Sequence, residues 1–398
     1  MVSSKKGLQV QMVDDALALG IKHAALNFNL AQLADPRGDP DNPAWELEGH
    51  THRFHRSYLE ALDRQIRPLS DRGVVVSLIL LNYVSPDPDV RRLLQHPGYD
   101  TNCPNHLSAF NTSTPEARRW LSAAVALMAE RWSRPDGRHG RVWNWIVGNE
   151  VNSHWFWSNQ GRVDVETFTG DYLRAVRTVH AAVRRHSLHG RVYVSLEHHW
   201  NIRYPGGDDR QTFAGRDFLE RFSRLARAGG DFDWHVAFHP YPENLFNPRT
   251  WEDTSATPDW RTTPRITFRN LEQLMAFLDR PEFHHDGRAR RVILSEQGFH
   301  SPDGPDGEVL QAAAYGYAWR KMAEMSGVDA FILHRHVDHA HEGGLRLGLW
   351  RRAPDSVATP MAPKRIYEVF RLADTPGAEE AFAFALPVIG IPDWAALP

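Results

Sequence analysis

The chain has 398 residues, a formal net charge of −3, 42% apolar and 24% charged residues. This is the composition of a globular chain, and it excludes disorder, collagen and coiled coil as the main architecture. The near-neutral charge gives no global field for nucleic acid or anionic lipid. Arginine outnumbers lysine 41 to 5, and 14 Trp and 22 His stand out. Cys103 is the single cysteine, so no internal disulfide and no cysteine-based zinc cluster can form.

Segment 1–11 is polar and lacks the apolar core of a secretion signal. Export through a trimmed signal and a cytoplasmic location both stay open. The longest apolar run, Val74–Leu81, is too short to cross a membrane. Short apolar runs then alternate with helical stretches along the chain. Strands are expected at Leu8–Val10, His23–Asn29, Val74–Leu81, Val142–Val147, Val192–Leu196, His235–Phe238, Val292–Leu294 and Ala330–Leu333. Their apolar character on both faces suits parallel strands covered by helices. Helices are expected over Asp14–Leu19, His55–Ser70, Ala117–Trp132, Glu166–His186, Arg216–Ala228, Phe268–Asp279, Glu308–Met325 and Lys364–Leu372. Thr114 and Pro115 mark the third start, and Gly20, Gly190 and Gly229 mark ends.

Eight strand–helix units predict an α/β fold of the (β/α)8 TIM-barrel class, as one domain over residues 1–398. An open doubly wound sheet is the alternative, but no Gly-x-Gly-x-x-Gly or Walker loop follows a strand. The long segments follow the strands, as on the active face of a barrel.

Two strands end in a carboxylate where an apolar continuation is the default. The fourth runs into Gly148-Asn149-Glu150, the seventh into Ser295-Glu296-Gln297. The two glutamates are 146 residues apart, roughly three of eight equal βα units, which sets them facing across the mouth. Opposed carboxylates suit glycoside hydrolysis, one protonated to assist the leaving oxygen and one ionised to attack the anomeric carbon.

Asn149-Glu150 and Glu296, with His239-Pro240-Tyr241 after the sixth strand, resemble the retaining glycosidases of clan A, the large clan of (β/α)8 hydrolases. The chain also looks like an uncharacterised bacterial glycosidase-like family. The resemblance implies that Glu150 is the acid/base and Glu296 the nucleophile. It further implies that Asn149 binds the sugar 2-hydroxyl, and that His239 and Tyr241 lie beside the acids, with Tyr241 orienting Glu296. Val151 replaces the proline that commonly follows Asn-Glu, and the eighth strand ends in His334-Arg335-His336 rather than in tryptophan.

Further candidates for contact with an oligo- or polysaccharide are His199, Trp200, Trp155, Asn82, His334 and Arg335. Aromatic faces stack on sugar rings while amides and imidazoles bind hydroxyls. Arg335 suits either an acidic sugar or an ion pair with a loop acid. No cofactor is expected. His334, His336, His339 and His341, with His198, His199 and His239, keep a metal-dependent barrel hydrolase open as an alternative. A non-catalytic glycan-binding barrel is the other.

Overall fold

The computed structural model describes residues 4–397. Eight parallel strands close into a barrel: β1 (Lys6–Gln9), β2 (His23–Asn29), β3 (Val75–Leu81), β4 (Asn144–Val147), β5 (Arg191–Glu197), β6 (Trp234–His239), β7 (Val292–Gln297) and β8 (Val328–Leu333). Each pairs with its sequence neighbours, and β1 pairs with β8 to close the ring. The helices between them are α1 (Val13–Ala18), α2 (Arg56–Asp71), α3 (Pro115–Arg131), α4 (Val165–His186), α5 (Gly215–Ala228), α6 (Glu272–Leu278), α7 (Gly307–Ala323) and α8 (Arg365–Leu372). This is the (β/α)8 fold expected from the periodicity.

Alternate residues on each strand fill the barrel. Ile79, Ile146, Tyr193, Ala237, Ile293, Ala330 and Ile332 form the inner cluster. The other strand faces pack against the helices in a second, larger core. Thr114 caps α3 by accepting from the Ala117 amide at 3.2 Å, with Pro115 in the first turn.

Three features differ from the sequence expectation. β1 begins two residues early, because its first residue is the polar Lys6. That lysine is buried and paired with Asp374 at 2.5 Å. The loop after β2 folds into a small antiparallel sheet of Ala34–Asp35, Ala44–Leu47 and His50–Phe54. The loop after β8 forms a hairpin of Trp350–Arg352 with Pro360–Pro363. No helix among the described residues is long and apolar enough to cross a membrane.

Candidate active site

The ends of β4 to β7 meet at the mouth of the barrel. On β4 the inward parity of Ile146 carries on to Gly148 and Glu150. The chain turns sharply here. Gly148 has φ +72 and Glu150 φ +41, a left-handed conformation uncommon outside glycine. The Ser195 hydroxyl on β5 holds the turn by accepting from the Glu150 amide at 3.0 Å. A non-glycine residue held in such a backbone region is a recurrent mark of functional sites.

On β7 the inward residues are Ile293 and Ser295, which by strict alternation would turn Glu296 outward. A register shift against β8 between Leu294 and Gln297 inserts one extra residue. This bulge turns Glu296 into the mouth, a common use of bulges beside sites. One carboxylate oxygen of Glu150, one of Glu296 and a ring nitrogen of His239 all lie within 4.8 Å of one another.

β6 supplies the partners of both acids. His239 Nδ1 is 2.9 Å from Glu150 Oε1, and its Nε2 is 3.0 Å from the Ser295 hydroxyl. The Tyr241 hydroxyl donates to Glu296 Oε1 at 3.2 Å. Burial raises the Glu150 carboxyl above its ordinary range; the His239 bond opposes this, while the charges of Glu296 and Glu197 add to it. Burial pulls the His239 imidazole down, but its bond to Glu150 and the nearby carboxylates more than reverse that. The Glu150–His239 pair therefore keeps a proton to higher pH than an isolated carboxyl. Burial and the Glu296 charge push Tyr241 far up, so it remains a donor.

A third carboxylate, Glu197, ends β5. Its oxygens accept from Asn152 Nδ2 at 2.5 Å, the Ser153 hydroxyl at 3.1 Å and the His199 amide at 2.8 Å, and His199 Nδ1 lies 2.6 Å away. Burial alone would raise this carboxyl, but His199 and the other donors hold it down at about 2. Glu197 thus aims the other ring nitrogen of His199 at the cavity, where Arg265 Nη2 stands 3.4 Å from it.

The cavity over the acids has a volume of about 560 Å³. Phe156, Trp157, Tyr204, His199, Arg265 and Glu342 line it beside Glu150, Glu296 and Tyr241. His199 and Tyr241 were expected at the site and are there, and His239 lies directly behind Glu150. Asn149 lies half-buried on the same turn, and its amide makes no side-chain hydrogen bond among the described residues.

The other expected contacts are not brought to this cavity. Asn82 is buried, and its amide donates to the carbonyls of Leu94 and Ala109 at 2.9 and 3.2 Å, holding the loop after β3. Trp200 is fully buried, edge-on to Phe277, and donates to the Trp260 carbonyl at 2.8 Å. Trp155 donates to Asp100 at 3.0 Å and packs on Phe156, behind the lining. His334 contacts Gln9 and Glu342, and Arg335 is paired with Glu342, the ion-pair alternative for that residue. Glu197, Tyr204 and Arg265 were not anticipated.

The histidines after β8 are dispersed. His336 is buried against Asp15 at 2.8 Å, and His339 stacks edge-on with His341. Two other groups, Glu150–His239–Glu296 and Glu197–His198–His199, have metal-ligand spacing. The second is a poor host, because protein donors already engage both oxygens of Glu197 and His198 Nδ1 donates to the Tyr241 carbonyl at 2.9 Å. In the first, both nitrogens of His239 are engaged.

A family model described as a family of unknown function (DUF5722) matches residues 1–397. No curated protein matches the sequence. Among solved structures, the chain is similar to a family 39 glycoside hydrolase from Bacteroides cellulosilyticus WH2 (15% identity, TM-score 0.56, 94% of this chain and 63% of that one). The chain thus spans less than two thirds of that enzyme. It is also similar to a β-glucosidase from Pyrococcus furiosus (17%, 0.55, 94% and 86%). A third likeness is to a Thermotoga maritima family 1 glycoside hydrolase (13%, 0.54, 91% and 84%). At these identities the likeness is one of fold alone, the (β/α)8 barrel.

Proposed function

The chain belongs to the DUF5722 family, and from that premise we propose that it is a retaining glycoside hydrolase acting through Glu296 and Glu150. The observation that carries this reading is the approach of the two carboxylates to within 4.8 Å across the mouth, each tied to a different residue of the β6 end. Retaining enzymes hold their carboxyl groups about 5–5.5 Å apart, while inverting ones leave about 6.5 Å or more for a water.

In the first step a Glu296 oxygen attacks the anomeric carbon and the bond to the leaving oxygen breaks. The proton kept by the Glu150–His239 pair passes from Glu150 to that oxygen. In the second step Glu150, now ionised, takes a proton from water. The water oxygen attacks the anomeric carbon, and the bond to Glu296 breaks. Tyr241 holds the Glu296 carboxylate in one orientation. The raised Glu150 carboxyl supports an acid role above the ordinary carboxyl range. Asn149, with its unengaged amide beside Glu150, suits a sugar hydroxyl.

The test is chemical rescue. Glu150→Ala, assayed with activated aryl glycosides, should stall at the second step, and azide should restore turnover and yield a glycosyl azide of retained configuration. An azide product of inverted configuration from Glu150→Ala, or full activity of Glu150→Ala on unactivated glycosides, contradicts the assignment.

A further inference from the structure

Hollows lie on both arcs of the mouth around the acid pair. The 560 Å³ cavity lies on the arc of β4 to β7, where Phe156, Trp157, Tyr204 and His199 surround it. Two more hollows lie on the opposite arc. One, of about 420 Å³, is lined by Gln9, Asn27, Arg335 and His336. The other, of about 470 Å³, is lined by Asn27, Asn29, Tyr58 and Tyr83. Asn27 belongs to both.

A row of polar contacts links the two arcs. Glu342, in the first cavity, is 3.5 Å from His334 Nε2; His334 Nδ1 contacts Gln9 Oε1; Gln9 Nε2 donates to Asn27 Oδ1 at 3.1 Å. Asn27 is exposed, and its own NH2 makes no hydrogen bond among the described residues. Tyr83 is 39% exposed, one of the few large aromatic residues so open, and it feels the charge of Glu296. The lining is also one-sided in charge. Glu150, Glu197, Glu243, Glu296 and Glu342 line the first cavity with Arg265 and three histidines; His199 engages Glu197 and Arg335 engages Glu342, which leaves Glu150, Glu243 and Glu296 without a guanidinium or ammonium partner of their own among the described residues. A uronate or sulfate would meet like charge there, whereas hydroxyls find acceptors and ring faces find aromatics.

We propose that the mouth is a trough that holds a neutral oligosaccharide on both sides of the Glu150–Glu296 pair, so that the protein cuts within a neutral polysaccharide rather than at its end. The leaving-group units lie against His199, Trp157 and Tyr204, on the side of Glu150. The units on the other side run along Gln9, Asn27 and Tyr83. This rests on the glycosidase reading and adds the substrate class and the mode of attack.

The test uses the full chain carrying Glu296→Gln, so that ligands survive, with immobilised ladders of neutral gluco-, xylo-, manno- and galacto-oligosaccharides and of oligogalacturonate. At least one neutral ladder should bind at least about tenfold more tightly as hexasaccharide than as disaccharide. Adding Tyr83→Ala should flatten that gain, and the exposure of Tyr83 lets the variant keep its thermal midpoint. The trough is overturned if affinity stops growing at the disaccharide, if oligogalacturonate is preferred, or if no ladder is retained. The two readings fail separately. Covalent trapping by a monosaccharide fluoride without length dependence removes the trough and leaves the hydrolase. Length-dependent binding with no trapping and no azide rescue leaves the trough and removes the hydrolase.

Discussion

The two ends of this barrel are both polar, and they treat charge in opposite ways. At the floor, where the strands begin, a hollow of about 740 Å³ is lined by Lys5, His23, Arg191, Tyr193, Arg291 and Asp329. It is larger than the cavity at the mouth, yet its charges are compensated. Asp329 takes Arg191 at 2.8 Å and Arg291 at 3.1 Å, and Lys5 donates to the carbonyls of Met322 and Met325 at 3.0 and 2.8 Å. Burial drops His23 to about 4, so it stays neutral. At the mouth, among the described residues, the Glu296 carboxylate has only a phenol for a partner and the Glu150 carboxylate only a histidine with which it shares a proton. Cavity size therefore does not distinguish the proposed site. Its closely spaced acids without a guanidinium or ammonium partner do.

Substitutions at the two ends should separate along that line. Glu296→Ala is expected to lower kcat by ~10⁴-fold or more on every glycoside while leaving the thermal midpoint near wild type. Glu150→Gln should cost about 10²–10⁴-fold with poor leaving groups and far less with activated aryl glycosides. Loss that ignores the leaving group would remove the acid role. At the floor, Asp329→Ala should do the reverse, costing about 1–3 kcal/mol of stability in denaturant titrations with kcat unchanged. Tyr241→Phe keeps the ring and removes one hydrogen bond to Glu296, so a drop of about tenfold in kcat is expected.

Glu197 sharpens the contrast, because it lies at the mouth but is satisfied like a floor residue. Its carboxyl is held at about 2 against an ordinary 4.5. The folded chain keeps it ionised where the unfolded chain takes up a proton. The stability this gives is complete above pH 4.5 and is lost as pH falls toward 2. Glu197→Gln should flatten that part of the stability profile, measured by denaturant midpoints across the acid range.

Much of this was legible in the sequence because it rests on period and position. All eight barrel strands and their helices follow from short apolar runs and capping signals. Glu150 and Glu296 emerge because a carboxylate ends an apolar strand. What stayed hidden depends on direction and on contacts between distant segments. Glu197 lies one residue beyond the expected end of its strand, beside a conspicuous His-His-Trp run. Asn82 and Trp200 end strands as their neighbours do, but their side chains turn to loop carbonyls, which strand-end position does not reveal. Arg265 reaches the cavity from a loop 66 residues beyond His199. The bulge that turns Glu296 inward has no signature in the composition of β7.

The proposed reaction turns on a bond between Glu296 and the anomeric carbon. Intact-mass measurement after incubation with a panel of activated 2-deoxy-2-fluoro glycosides tests it most directly. A gain of one fluoroglycosyl unit is expected on the wild type, mapped to the peptide carrying Glu296 and absent from Glu296→Ala. An adduct on another residue, or an adduct that persists in Glu296→Ala, would contradict it.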